Sequence, residues 1–360
     1  MTTLEQFRGQ IINNSFGEPC ELSEVIDQLG FLQADPIRSP ARAQDLILRH
    51  RVKDYQTGDL EKQYPSLGIE ECFLYAYGFG SKDLWQLIHP SDGKPLARKE
   101  EIALKLVSQH GPIHPKDLEA LMGSERVKNY WGGYSRSAKM TLESLHDRGA
   151  IRVSHRNKGI RLYQTAETNS NSLGSKERFK EILIISLKSI GATTRKFLLS
   201  ELRYFKYLVG SREERQKCLQ ELIEAGRIRT DLIDSIEYIS LDGSKLKQRP
   251  LKSVRILAPF DPIVRDRTRF EHLWNWTYRF EAYTPKAKRK LGYYAMPLLW
   301  RDQVIGWANA NVEDQRLKVE FGYASKKPTT KDYRTASEKE VTRLACFLKL
   351  KKDSWEISKA

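Results

Sequence analysis

Residues 137–163 read SAKMTLESLHDRGAIRVSHRNKGIRLY, and this stretch decides the fold. Its first part predicts a helix that ends at Gly149, because glycine is common just beyond a helix C-terminus. Two short runs of alternating apolar and polar residues follow at 150–155 and 159–163, with the polar turn Arg156-Asn-Lys-Gly between them. Such a pair of runs predicts a β-hairpin directly after the helix.

The residues upstream extend this pattern. A helix is predicted around 102–107, a turn at Gly111-Pro112-Ile113 and a second helix at 115–121. The order of helix, turn, helix, helix and hairpin is that of a winged helix. In such modules the third helix enters the major groove of DNA and the hairpin, called the wing, contacts the backbone.

A weaker copy of the pattern follows the Ser/Asn-rich linker at 168–174, with helices near 182–190, 196–205 and 213–226 and strands at 228–232 and 236–241. The N-terminal segment, with predicted helices at 22–29 and 40–50, is interpreted as a third, divergent copy. From about residue 250 short strands predict an antiparallel sheet or barrel, closed by a helix at 335–350. The predicted fold class is α+β, with three tandem winged-helix modules at 1–95, 96–167 and 168–245 and a C-terminal antiparallel β-domain at 246–360.

The net charge of the chain indicates which class of molecule the protein binds. The 360 residues include 61 Lys and Arg against 46 Asp and Glu, which gives a formal net charge of +15. Such an excess favours a polyanion, and nucleic acid is the commonest one. No apolar run approaches the roughly 20 residues needed to span a bilayer, and the N-terminus lacks a secretory pattern. We therefore expect a cytoplasmic, nucleoid-associated protein that acts as a monomer and contacts no membrane.

The chain lacks the sequence motifs of most conventional enzyme classes. The chain has no phosphate-binding loop, dinucleotide fingerprint or nucleophile elbow. Its four cysteines are scattered without a Cys-x-x-Cys pair, and its seven histidines show no ligand spacing, so neither a metal site nor a cofactor is expected.

The segment Gly30-Phe-Leu-Gln33-Ala-Asp35-Pro36-Ile37 is the candidate for chemistry. Gln33 and Asp35 are separated by one residue on an extended stretch before proline, so their side chains project to the same side. A carboxylate beside a carboxamide can polarise a water molecule or stabilise a cationic sugar. On the motif alone, Asp before Pro is more often an ordinary turn or helix cap.

Two further segments are candidates for contact or structure. The stretch 278–290 places four cations within five residues next to a turn-forming proline, which suits a basic hairpin along phosphates but also a solvated loop. In Leu257-Ala-Pro-Phe-Asp261-Pro-Ile-Val-Arg265-Asp266-Arg267 the Asp and Arg residues indicate a buried ion-pair network rather than catalysis. Trp131, Trp274, Trp276 and Trp300 are interpreted first as core residues, and as base-stacking residues only second.

Together these segments resemble the bacterial YcaQ/AlkZ family of winged-helix DNA glycosylases. The resemblance spans nearly the whole chain. It is carried by Leu32-Gln33-Ala34-Asp35-Pro36-Ile37, by Gly111-Pro112-Ile113 with Asp117-Leu118-Glu119, and above all by the C-terminal blocks Leu257-Ala-Pro-Phe-Asp-Pro, Arg265-Asp-Arg, 278–289, Gly292-Tyr-Tyr and Met296-Pro-Leu-Leu.

The resemblance implies a monofunctional glycosylase for purines alkylated at N7, including release of interstrand cross-links, acting on double-stranded DNA without a cofactor. It implies that Gln33 and Asp35 are the catalytic pair of the Gln-x-Asp branch. The residues expected to contact DNA are Arg38, Arg42, Tyr75, Tyr77, Arg152, Arg156, Lys158, Lys286, Lys288, Arg289 and Lys290. One departure is Tyr77, which stands where the family commonly has a histidine, and this puts the lesion specificity in question.

Two alternatives remain open at the level of sequence. Tandem winged helices and the +15 charge also fit a DNA-binding protein without catalysis, such as a transcription regulator. Charge alone would also fit an RNA-binding factor.

Overall fold

The computed structural model describes residues 2–89, 95–128, 132–167, 172–241, 252–324 and 326–359. Its helices are α1 Leu4–Ser15, α2 Leu22–Leu29, α3 Ala43–Leu48, α4 Asp59–Gln63, α5 Lys82–Ile88, α6 Arg98–His110, α7 Pro115–Met122, α8 Ser137–Asp147, α9 Ser175–Ile190, α10 Arg195–Glu201, α11 Arg212–Glu224, α12 Pro262–Arg265, α13 Arg267–Trp274 and α14 Lys331–Phe347. Short 3₁₀ turns occupy Tyr64–Ser66, Leu202–Tyr207 and Lys286–Lys288. Within the described ranges, no helix is both long and apolar enough to cross a membrane.

The strands are β1 Phe31–Gln33, β2 Ile69–Phe73, β3 Tyr77–Ser81, β4 Arg126–Lys128, β5 Tyr134–Arg136, β6 Ile151–Asn157, β7 Ile160–Thr165, β8 Ile228–Ile233, β9 Ile236–Leu241, β10 Val254–Ile256, β11 Met296–Trp300, β12 Gln303–Glu313, β13 Arg316–Tyr323 and β14 Trp355–Lys359. They form a sheet of order β1-β3-β2, a sheet of order β10-β11-β12-β13-β14, and three separate two-stranded pairs.

Residues 137–163 form α8, β6 and most of β7. The wing closes through a two-residue turn in which Lys158 and Gly159 both have positive φ, of 49° and 81°. Two left-handed residues in succession suit the right-handed twist of the paired strands, and glycine takes that conformation without strain. Ile113, between α6 and α7, bridges Tyr163 of β7, so this segment has the helix, bridge, helix, helix and hairpin order of a winged helix.

The same order appears twice more. In 175–241, Thr193 bridges Ile239 of β9, and the pair β8–β9 follows α11. Near the N-terminus, β1 follows α2 and pairs antiparallel with β3, the later strand of its hairpin. Each segment therefore joins its first strand or bridge to its last strand. The predicted boundaries near residues 95, 168 and 245 adjoin or lie outside the described residues and stay predictions.

The C-terminal sheet contains one strand, β14, that was not predicted from the sequence. Pairs from β10 to β13 are antiparallel, as expected, but β14 runs parallel to β13. The cause is α14, which lies between them in sequence and returns the chain to the starting end of β13, as a parallel connection requires.

One core joins the first segment to the last. Leu32 and Leu46 belong to the same buried cluster as Met296, Val319 and Val341. The segment that carries Gln33 and Asp35 therefore lies against the C-terminal sheet rather than in a free-standing module. By contrast, 96–165 buries a separate core of its own around α6, α8 and the wing.

Candidate active site and DNA-contact surface

The Gln33–Asp35 segment begins at the last residue of β1. Gln33 lies opposite Gly78 of β3, and the backbone N–H of Ala34 donates to the Tyr77 carbonyl at 2.9 Å before the chain leaves the sheet. A Cβ on Gly78 would collide with the carbonyl oxygen of Leu32, so glycine is what lets the two strands approach here. This short pairing fixes the direction in which the candidate catalytic pair projects.

Asp35 is a buried carboxylate held by a turn. It is 8% exposed, and its Oδ1 accepts the backbone N–H of Ile37 at 2.8 Å. Its own N–H donates to Oε1 of Gln44 at 3.2 Å. Burial raises the pKa of Asp35, and the Ile37 N–H offsets part of this. The turn interpretation of Asp-Pro is therefore correct, and it coexists with a desolvated carboxylate of the kind found at reactive sites.

Tyr294 is a polar neighbour of Asp35 that carried no expected role in the sequence analysis. It is 2% exposed, and its hydroxyl has no hydrogen-bond partner among the described residues. Burial raises its pKa, and the charge of Asp35 raises it further. Its only sequence signal is the motif Gly292-Tyr-Tyr, which contributed to the family resemblance. The hydroxyl is thus a buried polar group close enough to Asp35 for the carboxylate charge to raise its pKa.

Gln33 is contacted by Arg265, which ends α12. Nη1 of Arg265 donates to Oε1 of Gln33, and Nη2 pairs with the carboxylate of Glu201 from α10. The guanidinium also lies over the ring of Tyr75, 3.9 Å from its centroid. Tyr75, an expected DNA contact, is thus packed beside Gln33, with its hydroxyl bonded to Ser189 and its ring 5.1 Å from that of Phe31.

The buried ion-pair network expected for 257–267 is present only in part. Asp261 is fully buried and pairs with Arg51 at 2.8 Å. Asp266 is fully buried too, and it accepts from the hydroxyl of Thr193 at 2.6 Å. The ion-pair interpretation is confirmed for Asp261, whereas Asp266 is held by the Thr193 hydroxyl and the backbone N–H of Arg269.

Three of the expected DNA contacts bind acidic residues of β2 instead of projecting freely. Arg152 pairs with Glu70 at 2.7 Å, Arg156 pairs with Glu71 at 2.6 Å, and the hydroxyl of Tyr77 donates to Glu71 at 2.6 Å. Glu71 has no exposed surface. Burial raises its pKa, but the hydrogen bonds and charge of Arg156 outweigh this and hold the pKa below its ordinary value. These side chains attach the wing to the first segment, and their contact with DNA stays a prediction.

A second group of expected contacts gathers where the wing tip meets the Asp35 segment. Arg38 and Lys158 are both exposed. The guanidinium of Arg42 lies 3.3 Å, and that of Arg38 4.0 Å, from the position a Cβ on Gly159 would occupy. Arg42 also pairs with Glu61, and burial lowers its pKa, followed by the charges of Arg38 and Arg156. A positive rim therefore borders the chain three residues beyond Asp35.

The predicted basic hairpin is wrong in form. Between α13 and β11 the described chain has a 3₁₀ turn and no strand, because Pro285 and Gly292 interrupt any alternating run. The carboxylate of Glu281 anchors this loop by accepting backbone N–H groups of Lys290 and Leu291 at 2.9 and 2.8 Å. The cations are nevertheless presented to solvent: Lys286, Lys288 and Lys290 are exposed, and Arg289 packs over the ring of Tyr293.

The same loop exposes an aromatic side chain that the sequence analysis did not name as a contact. Tyr283 is 81% exposed, three residues before Lys286. A surface groove of about 510 Å³ adjoins this region. Its lining includes Ser39, Tyr293, Tyr294, Asn309 and Lys318. The groove thus lies between Ser39, four residues beyond Asp35, and Tyr293 at the base of the basic loop.

The remaining expectations concern metals and the tryptophans. No group of three or more metal-ligating side chains occurs in the part of the chain that the structure describes. Trp274 and Trp300 are each 8% exposed and belong to the core, as interpreted first. Trp276 packs against that core, while Trp131 lies outside the described residues.

Comparison with known proteins places this arrangement in a family. The family model described as "DNA glycosylase AlkZ-like" matches residues 26–347. Among solved structures, the Streptomyces sahachiroi DNA glycosylase AlkZ superposes with a TM-score of 0.65 at 12% identity, and the match covers 98% of both chains. At this identity the likeness to AlkZ shows the fold, whereas the family model covers most of the sequence, including Gln33, Asp35 and Arg265. The chain belongs to the AlkZ-like DNA glycosylase family.

Proposed function

We propose that this protein is a monofunctional DNA N-glycosylase that hydrolyses the N-glycosidic bond of purines alkylated at N7, including purines joined in interstrand cross-links. The observation that carries the proposal is the buried Asp35 carboxylate beside Gln33, bordered by exposed cations, in a chain of the AlkZ-like family. A desolvated carboxylate next to a positive rim suits a reaction at a sugar held within a polyanion.

The proposed reaction makes modest demands on the protein. A purine alkylated at N7 is already cationic, so the electrons of the breaking bond between C1′ and N9 leave with the base and neutralise it. Positive charge then develops on the sugar. Asp35 stabilises that charge or accepts a proton from the attacking water, while Gln33 orients the water and the deoxyribose. The water oxygen bonds to C1′, and the products are the free base and an abasic site.

The proposed path of DNA follows exposed cations. Lys286, Lys288 and Lys290 on the loop, with Arg38 and Lys158 near the Asp35 segment, contact phosphates. The exposed ring of Tyr283 stacks on a base or fills the gap left by the removed one. Because a cross-linked base is hard to flip into a deep pocket, an open surface groove of the observed kind favours such a substrate. We propose that the protein acts as a monomer on the nucleoid in the cytoplasm.

The test is base release from duplex DNA carrying N7-methylguanine and, separately, a nitrogen-mustard cross-link. Wild type, Asp35→Ala and the control Asp27→Ala are compared, because Asp27 is an exposed residue on α2. Release by wild type and by the control, but not by Asp35→Ala, supports the proposal. No release by wild type, with tight binding to one undamaged sequence, would indicate a non-catalytic DNA-binding protein instead.

A further inference from the structure

Arg265 brings three distant parts of the chain together at Gln33. It ends α12 in the C-terminal part, it touches Gln33 of β1 and Glu201 of α10, and it covers the ring of Tyr75. Its side chain is only 13% exposed. An arginine placed in this way contributes little to a DNA-contact surface, since both of its Nη groups and its ring contact are engaged within the protein, and its Nε is buried without a partner among the described residues.

The contact with Arg265 determines which end of the Gln33 carboxamide faces it. A guanidinium has only donors, so the carboxamide must present its oxygen to Arg265. The amide nitrogen, with its two N–H groups, is then directed away from the guanidinium. The orientation follows from hydrogen-bond chemistry alone, independently of which amide atom is assigned to which position.

Charge explains the presence of Glu201. A lone cation beside Gln33 would oppose the positive charge that develops on the sugar during base release. Glu201, paired with the other arm of Arg265, cancels that cation. The guanidinium thereby orients Gln33 without adding net positive charge.

We propose that Arg265 is a positioning residue, which fixes the Gln33 carboxamide as a hydrogen-bond donor toward the water or deoxyribose, with Glu201 as its neutralising partner. This inference rests on the proposed glycosylase function for its kinetic consequence but not for the orientation of the amide. Arg265 does not contact the reacting atoms. It acts through Gln33.

Kinetics supply the first test, with single-turnover release of N7-methylguanine. Arg265→Met is expected to slow release about tenfold or more, the scale of one charge-assisted hydrogen bond, with DNA affinity unchanged. The double variant Arg265→Met/Gln33→Ala is expected to be no slower than Gln33→Ala. Glu201→Gln is expected to slow release as well, because it leaves the cation uncompensated. The control Arg195→Met removes an exposed pair with Glu237 on the same segment and is expected to behave as wild type.

The second test needs no activity and therefore separates this inference from the proposed function. The side-chain NH₂ signals of Gln33 are followed by NMR on protein labelled with ¹⁵N-glutamine, and they are assigned by their loss in Gln33→Glu. Arg265→Met is expected to shift these signals, whereas Arg265→Lys, which retains one donor, is expected to shift them less. Unchanged Gln33 signals in a folded Arg265→Met protein would overturn the inference. It would also be overturned if the double variant were slowed by the product of the factors for Arg265→Met and Gln33→Ala, because the two residues would then act independently.

Discussion

Replacing Glu71 by Gln perturbs the buried carboxylate that joins the wing to the first segment. The carboxylate accepts from the hydroxyls of Tyr64 and Tyr77 at 2.9 and 2.6 Å and from Arg156 at 2.6 and 2.7 Å. Glutamine has nearly the same size, but it is neutral and turns one of the two acceptor ends into a donor. At least one of these donors then loses its partner in a site without solvent.

The size of the expected loss of stability follows from the burial of both Arg156 and Glu71. Arg156 has a side chain 13% exposed and Glu71 has one 0% exposed, so the remaining arginine cannot recover its hydration fully. Removing one member of a buried ion pair costs about 3–5 kcal/mol. Since domains are stable by only about 5–15 kcal/mol, Glu71→Gln is expected to lose a large part of the free energy of unfolding.

Urea denaturation followed by circular dichroism measures this loss, with Glu237→Gln as the control. Glu237 pairs with Arg195 on the surface, and its replacement is expected to cost about 0–1 kcal/mol. The double variant Glu71→Gln/Arg156→Met should cost less than the sum of the two single changes, because they share one interaction.

The lowered pKa of Glu71 also determines the direction in which the stability of the wild-type protein changes with pH. The pKa of Glu71 is lower in the folded chain than in the unfolded chain. The stabilisation is therefore complete above the unfolded value of about 4.3 and is lost as pH falls through the folded value. A Glu71→Gln protein as stable as wild type at pH 7 would refute this reasoning. So would an Arg156→Met protein of normal stability whose slope of log K against log salt for DNA binding falls by about 0.9, since that would make Arg156 a phosphate contact.

Three further predictions concern the candidate site and the basic loop. Burial raises the pKa of Asp35, so the folded protein loses stability as pH rises and this carboxyl ionises. Asp35→Asn should therefore be more stable than wild type at pH 7 in thermal unfolding. The difference in stability should close below about pH 4, where the carboxyl is protonated in both the folded and the unfolded chain. A less stable Asp35→Asn protein at pH 7 would contradict this. Changing Lys286, Lys288 and Lys290 together to Ala should lower the slope of log K against log salt by roughly 2.7, if each contacts one phosphate, and an unchanged slope would exclude the loop from the interface. Tyr283→Ala should weaken binding to DNA containing an abasic site by about 1–3 kcal/mol without changing thermal stability, and unchanged affinity in a fluorescence-anisotropy titration would remove the stacking role.

Local signals predicted the parts of the fold that depend on local chemistry. The wing follows from the turn around Lys158 and Gly159, because a two-residue hairpin turn requires residues that tolerate positive φ. The direction of β14 could not be predicted, since it depends on where α14 packs rather than on any residue of the strand. The basic stretch was assigned a hairpin from its charge and flanking proline, but the carboxylate of Glu281 binds its backbone as a loop.

Only the part of the candidate site that lies within one sequence motif could be predicted. Gln33 and Asp35 stand together in sequence, so spacing and family resemblance identify them. Arg265, Glu201 and Tyr294 come from segments that tertiary packing alone brings to that motif. Arg152 and Arg156 were likewise expected to be free cations. Their acidic partners in β2 are buried, and the sequence pattern alone would place such charged residues on the surface.

The most direct test of the central claim is the single-turnover rate of N7-methylguanine release by wild type and Asp35→Asn, measured on the same duplex at saturating protein. Asn keeps the shape and the acceptor for the Ile37 N–H but removes the charge. We expect wild type to yield free base and an intact abasic strand, and Asp35→Asn to be slower by about 100-fold or more at unchanged DNA affinity. Release by Asp35→Asn at the wild-type rate would contradict the assignment of Asp35 as the catalytic carboxylate.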